Sequence, residues 1–100
     1  MYRGGYTYIL TNKNKTTLYI GVTSQLELRI YNHRSHQFGD QAFSARYNLY
    51  FLVYFESFDS ILDAIAREKQ LKKWSRVKKD QLINKVNPQW ADLSGNIQGM

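Results

Sequence analysis

The sequence predicts a small α+β domain with the element order β-β-α-β-α-α. Two runs rich in aromatic and β-branched residues, 6–11 (YTYILT) and 17–22 (TLYIGV), flank the turn-forming NKNK. A third such run, 49–55 (LYFLVYF), stands alone. Between and after these runs, apolar residues recur at helical spacing.

The first two runs read as a hairpin, because asparagine tolerates left-handed backbone and makes local side-chain bonds. Strands joined by so short a turn are antiparallel. Residues 25–36 read as a helix with Ser24 or Thr23 as N-cap, and 37–47 as a loop or short irregular helix. The run 49–55 lacks alternation, as expected of a strand covered on both faces, and it could pair with either edge of the hairpin. Ser57 or Asp59 is a suitable cap for a helix running to Trp74. A shorter basic helix follows over 75–86 and ends at Pro88. Trp90 and Leu93 are expected to pack back on the domain, and the tail 94–100 to be loose. No repeat, linker or boundary divides the chain, so 1–100 is expected to be a single domain with its core over about 5–93.

Composition narrows the function. With 43% hydrophobic residues and one proline in 100 residues, the chain can build a core. It has no cysteine, which excludes disulfides and thiolate metal sites. The longest apolar run is far too short to span a bilayer, so a soluble cytoplasmic protein without membrane partners is expected. The net charge is +6, and residues 67–85 account for all of it, with eight Lys or Arg against two acids. Such a segment reads either as a solvated helical face or as a surface for a polyanion, with salt-dependent phosphate contacts. Its concentration, with Trp74 inside it, favours nucleic acid. Lys69, Lys72, Lys73, Arg76, Lys78 and Lys79 are the candidate contacts.

Two polar groups sit on apolar faces. Ile61, Ala64, Ile65 and Leu71 share an arc of about 120°, with Glu68 at its middle. A carboxylate there needs a partner: either Lys72 one turn on, or a divalent cation in a cleft. On the first helix, Leu26, Arg29, Ile30 and His33 share an arc of about 100°, so Arg29 and His33 are neighbours. They read as a surface pair or as a site. Leu28 and Tyr31 lie elsewhere around this helix, so its buried face is not unique. On the strands, Tyr6, Tyr8 and Leu10 share one face of the first, and Tyr19 and Gly21 share one face of the second. Tyrosines there are ordinary cross-strand packing as readily as chemistry. Gly21 leaves room for a ligand or backbone to approach, or simply ends the strand.

Together these residues resemble the GIY-YIG nuclease superfamily. The second motif is intact as Tyr19-Ile20-Gly21, and Tyr8 precedes Tyr19 by eleven residues, at the position of the first motif's tyrosine. That first motif reads YTY in place of Gly-Ile-Tyr. Arg29 stands eight residues after Gly21, and His33 four further, as in many members. Glu68, in AIAREKQL, matches the metal-binding glutamate. The stretches YIGVTSQLELRIYNHR, REKQLKKW and NPQWADL are most similar to short stand-alone bacterial members, themselves similar to the nuclease domain of the excision-repair protein UvrC.

The resemblance implies a three-stranded antiparallel sheet flanked by helices. It implies hydrolysis of DNA phosphodiester bonds, leaving 5′-phosphate and 3′-hydroxyl ends, with one Mg²⁺ or Mn²⁺ held by Glu68. Arg29 would contact the nonbridging oxygens, and Tyr19 would orient phosphate or water. Tyr8, with an ordinary pKa near 10, would contact the water and pass its proton to His33, near 6.5; a strongly lowered Tyr8 pKa is the other option. Without a target-choosing second domain, weak sequence preference and a taste for branched, flapped or single-stranded DNA are expected. The rival readings are a binding module with a vestigial site, an RNA-directed nuclease, and an interaction protein in which these residues are incidental.

Overall fold

A computed structural model describes residues 4–34 and 48–97. The expected loop at 37–47, the end of the first helix beyond Arg34, and 98–100 lie outside the described residues. The elements are β1 (Gly5–Thr11), β2 (Leu18–Thr23), α1 (Leu26–Arg34), β3 (Phe51–Phe58), α2 (Ile61–Lys72), α3 (Arg76–Val86) and a 3₁₀ turn over Ser94–Ile97. The order β-β-α-β-α-α and the α+β class are those the sequence predicts. The strands form one antiparallel sheet in the order β2-β1-β3, so the third strand pairs with the first.

The hairpin turn is built by Asn12. Its Oδ1 accepts from the backbone N–H of Thr16 (2.9 Å) and Thr17 (3.1 Å), and its Nδ2 donates to Thr16 Oγ1. Lys15 takes the left-handed turn position at φ 61°. From across the molecule, Arg76 donates to the carbonyls of Lys15 (2.7 Å) and Thr16 (2.8 Å), locking the turn against α3.

Both faces of the sheet are covered. On one, Tyr8 and Leu10 meet Leu26 and Ile30 of α1 together with Leu49 and Leu52. On the other, Ile9, Ile20, Val53 and Tyr54 meet Leu71 of α2 and Ile83 of α3. Helix α2 approaches β1 closely: the Cβ of any larger residue at Gly5 would meet Ile61 and Ala64, and Thr7 Oγ1 donates to the Ala64 carbonyl at 2.7 Å.

The missing alternation in 49–55 has two causes. One is the double coverage. The other is a register break between Ile9 and Leu10, whose partners on β3 are Tyr54 and Leu52. Val53 is the extra residue of a β-bulge, so Val53 and Tyr54 join the same core cluster while Leu52 joins the opposite one. The strand also begins later and ends later than expected. Leu49 is buried but precedes the ladder, and the polar Glu56 and Ser57 continue it opposite Thr7 and Tyr6.

Asn87 repairs the bulge. As the C-cap of α3 it makes the last helical bond, from its backbone N–H to the Ile83 carbonyl, and leaves helical backbone at φ −147° just before Pro88. Its buried side chain donates to the carbonyls of Val53 (3.0 Å) and Ala91 (2.9 Å) and accepts from the Ala91 N–H (3.1 Å). The chain then turns through Trp90 at φ 54° and runs along β3. There Leu93 N–H donates to the Leu52 carbonyl, and Asp92 accepts from the Leu52 N–H. Asp92 also caps Ser94, so 94–97 form an ordered turn against α1 where a loose tail was expected. Arg34, at the end of α1, closes this clasp on the Tyr50 carbonyl, Asp92 and Ser94.

Ser60 caps α2 by accepting from Leu62 N–H, one residue beyond Asp59 and three beyond Ser57, the expected positions. Ser75 caps α3 by accepting from Lys78 N–H. Before α1, Thr23 Oγ1, one of the two expected caps, accepts from Gln25 N–H.

Asn87→Asp keeps the shape but turns a donor into an acceptor facing two carbonyls. A loss of about 2 kcal/mol or more is expected from such buried unsatisfied groups. A fall in the urea midpoint at pH 7 with unchanged slope checks this; an unchanged midpoint contradicts the bulge-repair role.

Candidate active site

The site grows from Tyr8 on the central strand. Tyr8 lies directly opposite Gly21 on β2, and its ring lies across that glycine. A Cβ at residue 21 would collide with the ring and the phenol oxygen. The glycine that ends the YIG triplet therefore makes room for the first tyrosine. The ring is fully buried.

Helix α1 supplies the next two groups. Its buried positions are Leu26, Ile30 and His33, while Leu28 and Tyr31 are more than half exposed, so its core face is unique. The apolar pair seats the helix on the sheet, which aims His33 at Tyr8: the phenol oxygen lies 3.1 Å from His33 Nε2. Arg29 also hydrogen-bonds the phenol. A guanidinium only donates, so the phenol oxygen accepts from Arg29; in the Nδ1–H tautomer of the neutral imidazole, the phenol O–H donates to Nε2. Tyr19 closes the cluster. Its ring centroid is 5.5 Å from that of His33 and 6.3 Å from that of Tyr8.

Protonation follows from this packing. Burial, with the neighbouring Tyr19, pushes the Tyr8 pKa well above the usual phenol value, and Arg29 does not reverse this. Burial, and then the Arg29 charge, lower the His33 pKa to about 4. Both groups are neutral at pH 7. Burial thus holds His33 well below the ordinary histidine value near 6.5.

Glu68 comes from the other side of the sheet. Helix α2 packs across β1 and β2 on the face opposite α1. Tyr8 leans over Gly21 toward β2, the edge strand, and the Glu68 carboxylate is close enough to act electrostatically on the phenol. The carboxylate is largely buried and pairs with Lys72 Nζ at 2.7 Å. The pairing expected from the sequence thus forms, and it forms beside the tyrosine cluster.

Magnesium and manganese prefer oxygen ligands and keep several waters, and one or two carboxylates with substrate phosphates suffice to hold them. Among the described residues no group of three or more His, Cys, Asp or Glu is gathered. The Glu68 carboxylate, within electrostatic reach of the Tyr8 phenol, is the kind of oxygen donor such an ion takes.

The basic segment divides into used and unused charges. Arg76 is committed to the hairpin carbonyls and to Asp80. Lys72 holds Glu68, and Lys78 lies 4.2 Å from the ring centre of Trp74, whose other neighbour is Arg67 at 5.2 Å. Lys69, Lys73 and Lys79 make no ion pair among the described residues, and the first two are exposed. The sequence reading missed Arg34 and Asp92, which fix α1 and therefore Arg29 and His33. Their only sequence signal is a basic residue in the last turn of a helix. No helix among the described residues is long and apolar enough to cross a membrane.

A UPF0213 protein of Syntrophus aciditrophicus is 42% identical over 84 residues, covering 84% of this chain and 93% of its own length. A UPF0213 protein of Haloquadratum walsbyi is 37% identical over 78 residues, covering 77% of this chain and 83% of its own. The solution NMR structure of a UPF0213 protein of Bacillus halodurans superposes with a TM-score of 0.56 at 26% identity, covering 97% of this chain and 99% of that one. Residues 4–84 match the GIY-YIG catalytic domain, and the chain belongs to that nuclease family.

Proposed function

We propose that this chain is a metal-dependent endonuclease that hydrolyses DNA phosphodiester bonds, acting in DNA repair or processing. The observation that supports it best is the hydrogen-bonded Arg29–Tyr8–His33 cluster, with Tyr19 against it and the Glu68 carboxylate within electrostatic reach.

Arg29 meets the nonbridging oxygens of the phosphate with its planar fork. Tyr8 contacts the attacking water and passes a proton along its existing hydrogen bond to His33 Nε2, which is neutral and able to accept it. A phosphate paired with Arg29 cancels part of the positive charge that depresses His33, so substrate entry makes the imidazole a better base. Tyr19 orients the phosphate or the water. Glu68 would hold one Mg²⁺ or Mn²⁺, which when bound supplies charge stabilisation for the departing 3′ oxygen. Lys69, Lys72, Lys73, Lys78 and Lys79 follow the DNA backbone, and this surface offers no base-reading element. Arg76 contributes by holding the hairpin to α3.

Three outcomes test this reading. Glu68→Ala is expected to lower Mg²⁺- or Mn²⁺-dependent nicking of plasmid DNA by about 100-fold or more while the circular dichroism spectrum and most DNA affinity persist. Undiminished nicking removes Glu68 from the chemistry. Gly21→Ala is expected to push the Tyr8 ring aside and cut the rate by roughly 100-fold for a displacement on the order of 1 Å. A mutant crystal structure with Tyr8 unmoved, or full activity, refutes that placement.

The third outcome concerns pH. His33 binds its proton more weakly in the folded chain than in the unfolded one, about 4 against 6.5. The unfolded state therefore carries the extra proton between these values, and stability is lost as pH falls from 6.5 toward 4. His33→Gln is expected to make the urea midpoint less sensitive to pH across that window. Parallel profiles for the two proteins contradict a buried neutral imidazole.

A further inference from the structure

A cavity of about 540 Å³ opens where β1 begins and β2 and β3 end. Tyr6 and Phe58, from opposite faces of the sheet, line it together with Ser24, Gln25, Ser57 and Asp59. It is large enough for a small organic ligand. Two covalent tethers place it beside the catalytic cluster. Tyr6 is on the same face of β1 as Tyr8, two residues and about 7 Å away. Gln25 stands one turn before Arg29 and accepts that residue's backbone N–H at 3.0 Å. A ligand in the cavity is thus about one nucleotide from the phosphate that Arg29 would hold.

The lining says what that ligand is. Among the described residues its lining contains no Lys or Arg, and Asp59 repels anions, so a phosphate is disfavoured there. Flat aromatic surfaces offer stacking, and the serine, glutamine and aspartate side chains offer donors and acceptors for a heterocycle's edge. We propose that this cavity is a nucleobase subsite, which receives one unpaired base next to the scissile phosphate while the backbone passes outside over Arg29. The inference rests on the nuclease reading and adds a reason for preferring single-stranded or flapped DNA. A base inside a duplex is stacked and paired and cannot enter; a base in a flap enters at little cost.

The test is binding, measured by fluorescence anisotropy in EDTA so that nothing is cut. Two flapped DNAs are compared, one intact and one lacking the single base next to the junction. Stacking of one base is worth about 1–3 kcal/mol, so the wild-type chain is expected to bind the intact flap roughly fivefold to 150-fold more tightly. Ser57→Trp, which fills the cavity from the exposed side of β3, is expected to reduce that ratio to about twofold or less. Amide shifts of Gly5, Ser24 and Gln25 on titration with a free nucleoside provide a check that needs no variant. Equal wild-type affinity for the two flaps overturns the subsite, as does full discrimination by a folded Ser57→Trp. Failure of the nuclease reading looks different: base discrimination persists, but no DNA is cut with Mg²⁺ or Mn²⁺. Absence of binding to both flaps overturns the two readings together.

Discussion

The buried phenol of Tyr8 is the constraint around which the rest of this structure is arranged. It sits at the centre of a three-stranded sheet, where a hydroxyl needs partners in place of water. Those partners are His33 and Arg29. Supplying them fixes the seat of α1, and room for the ring requires a residue without a side chain at position 21. Three sequence features that look independent, a tyrosine, a glycine and an Arg/His pair, are thus parts of one packing problem. The same burial that enforces the contacts keeps the Tyr8 phenol and the His33 imidazole neutral at pH 7.

The scaffold serves this arrangement with polar bonds at its margins. Arg34 and Asp92 pin the end of α1 to β3 and the terminal turn, so the helix cannot rotate without breaking a shared set of contacts. Burial disfavours the Asp92 carboxylate, but hydrogen bonds from Ser94 and Leu52 and the charge of Arg34 hold its pKa below the usual value. Isolated surface ion pairs are worth little, and this one gains from being part of a network. On the opposite face, the Glu68–Lys72 pair keeps a nearly buried carboxylate compensated.

Much of this was legible in the sequence, and the legible part is local. The hairpin, the order of elements and the shared faces of Leu26 with His33 and of Ala64 with Glu68 follow from periods of two and 3.6 residues. The spacing of Tyr8, Tyr19, Gly21, Arg29, His33 and Glu68 carried the resemblance to the family. What was not legible depends on contacts between distant segments. The choice of β1 as the partner of β3, the bulge at Val53 and its repair by Asn87 have no local signature. Arg76 reads as one more cation in a basic run, yet it serves the backbone of a turn some sixty residues earlier. The protonation of His33 was misjudged because an ordinary pKa says nothing of burial.

The bulge has a bearing on how the chain avoids misfolding. Strand β3 follows a long connection and is composed almost wholly of large apolar residues at its start, so sliding by one position would still bury hydrocarbon. What sliding cannot preserve is the single carbonyl that meets the Asn87 amide. One polar group therefore acts as an index mark for an otherwise greasy ribbon, selecting one alignment out of several that apolar burial alone would tolerate.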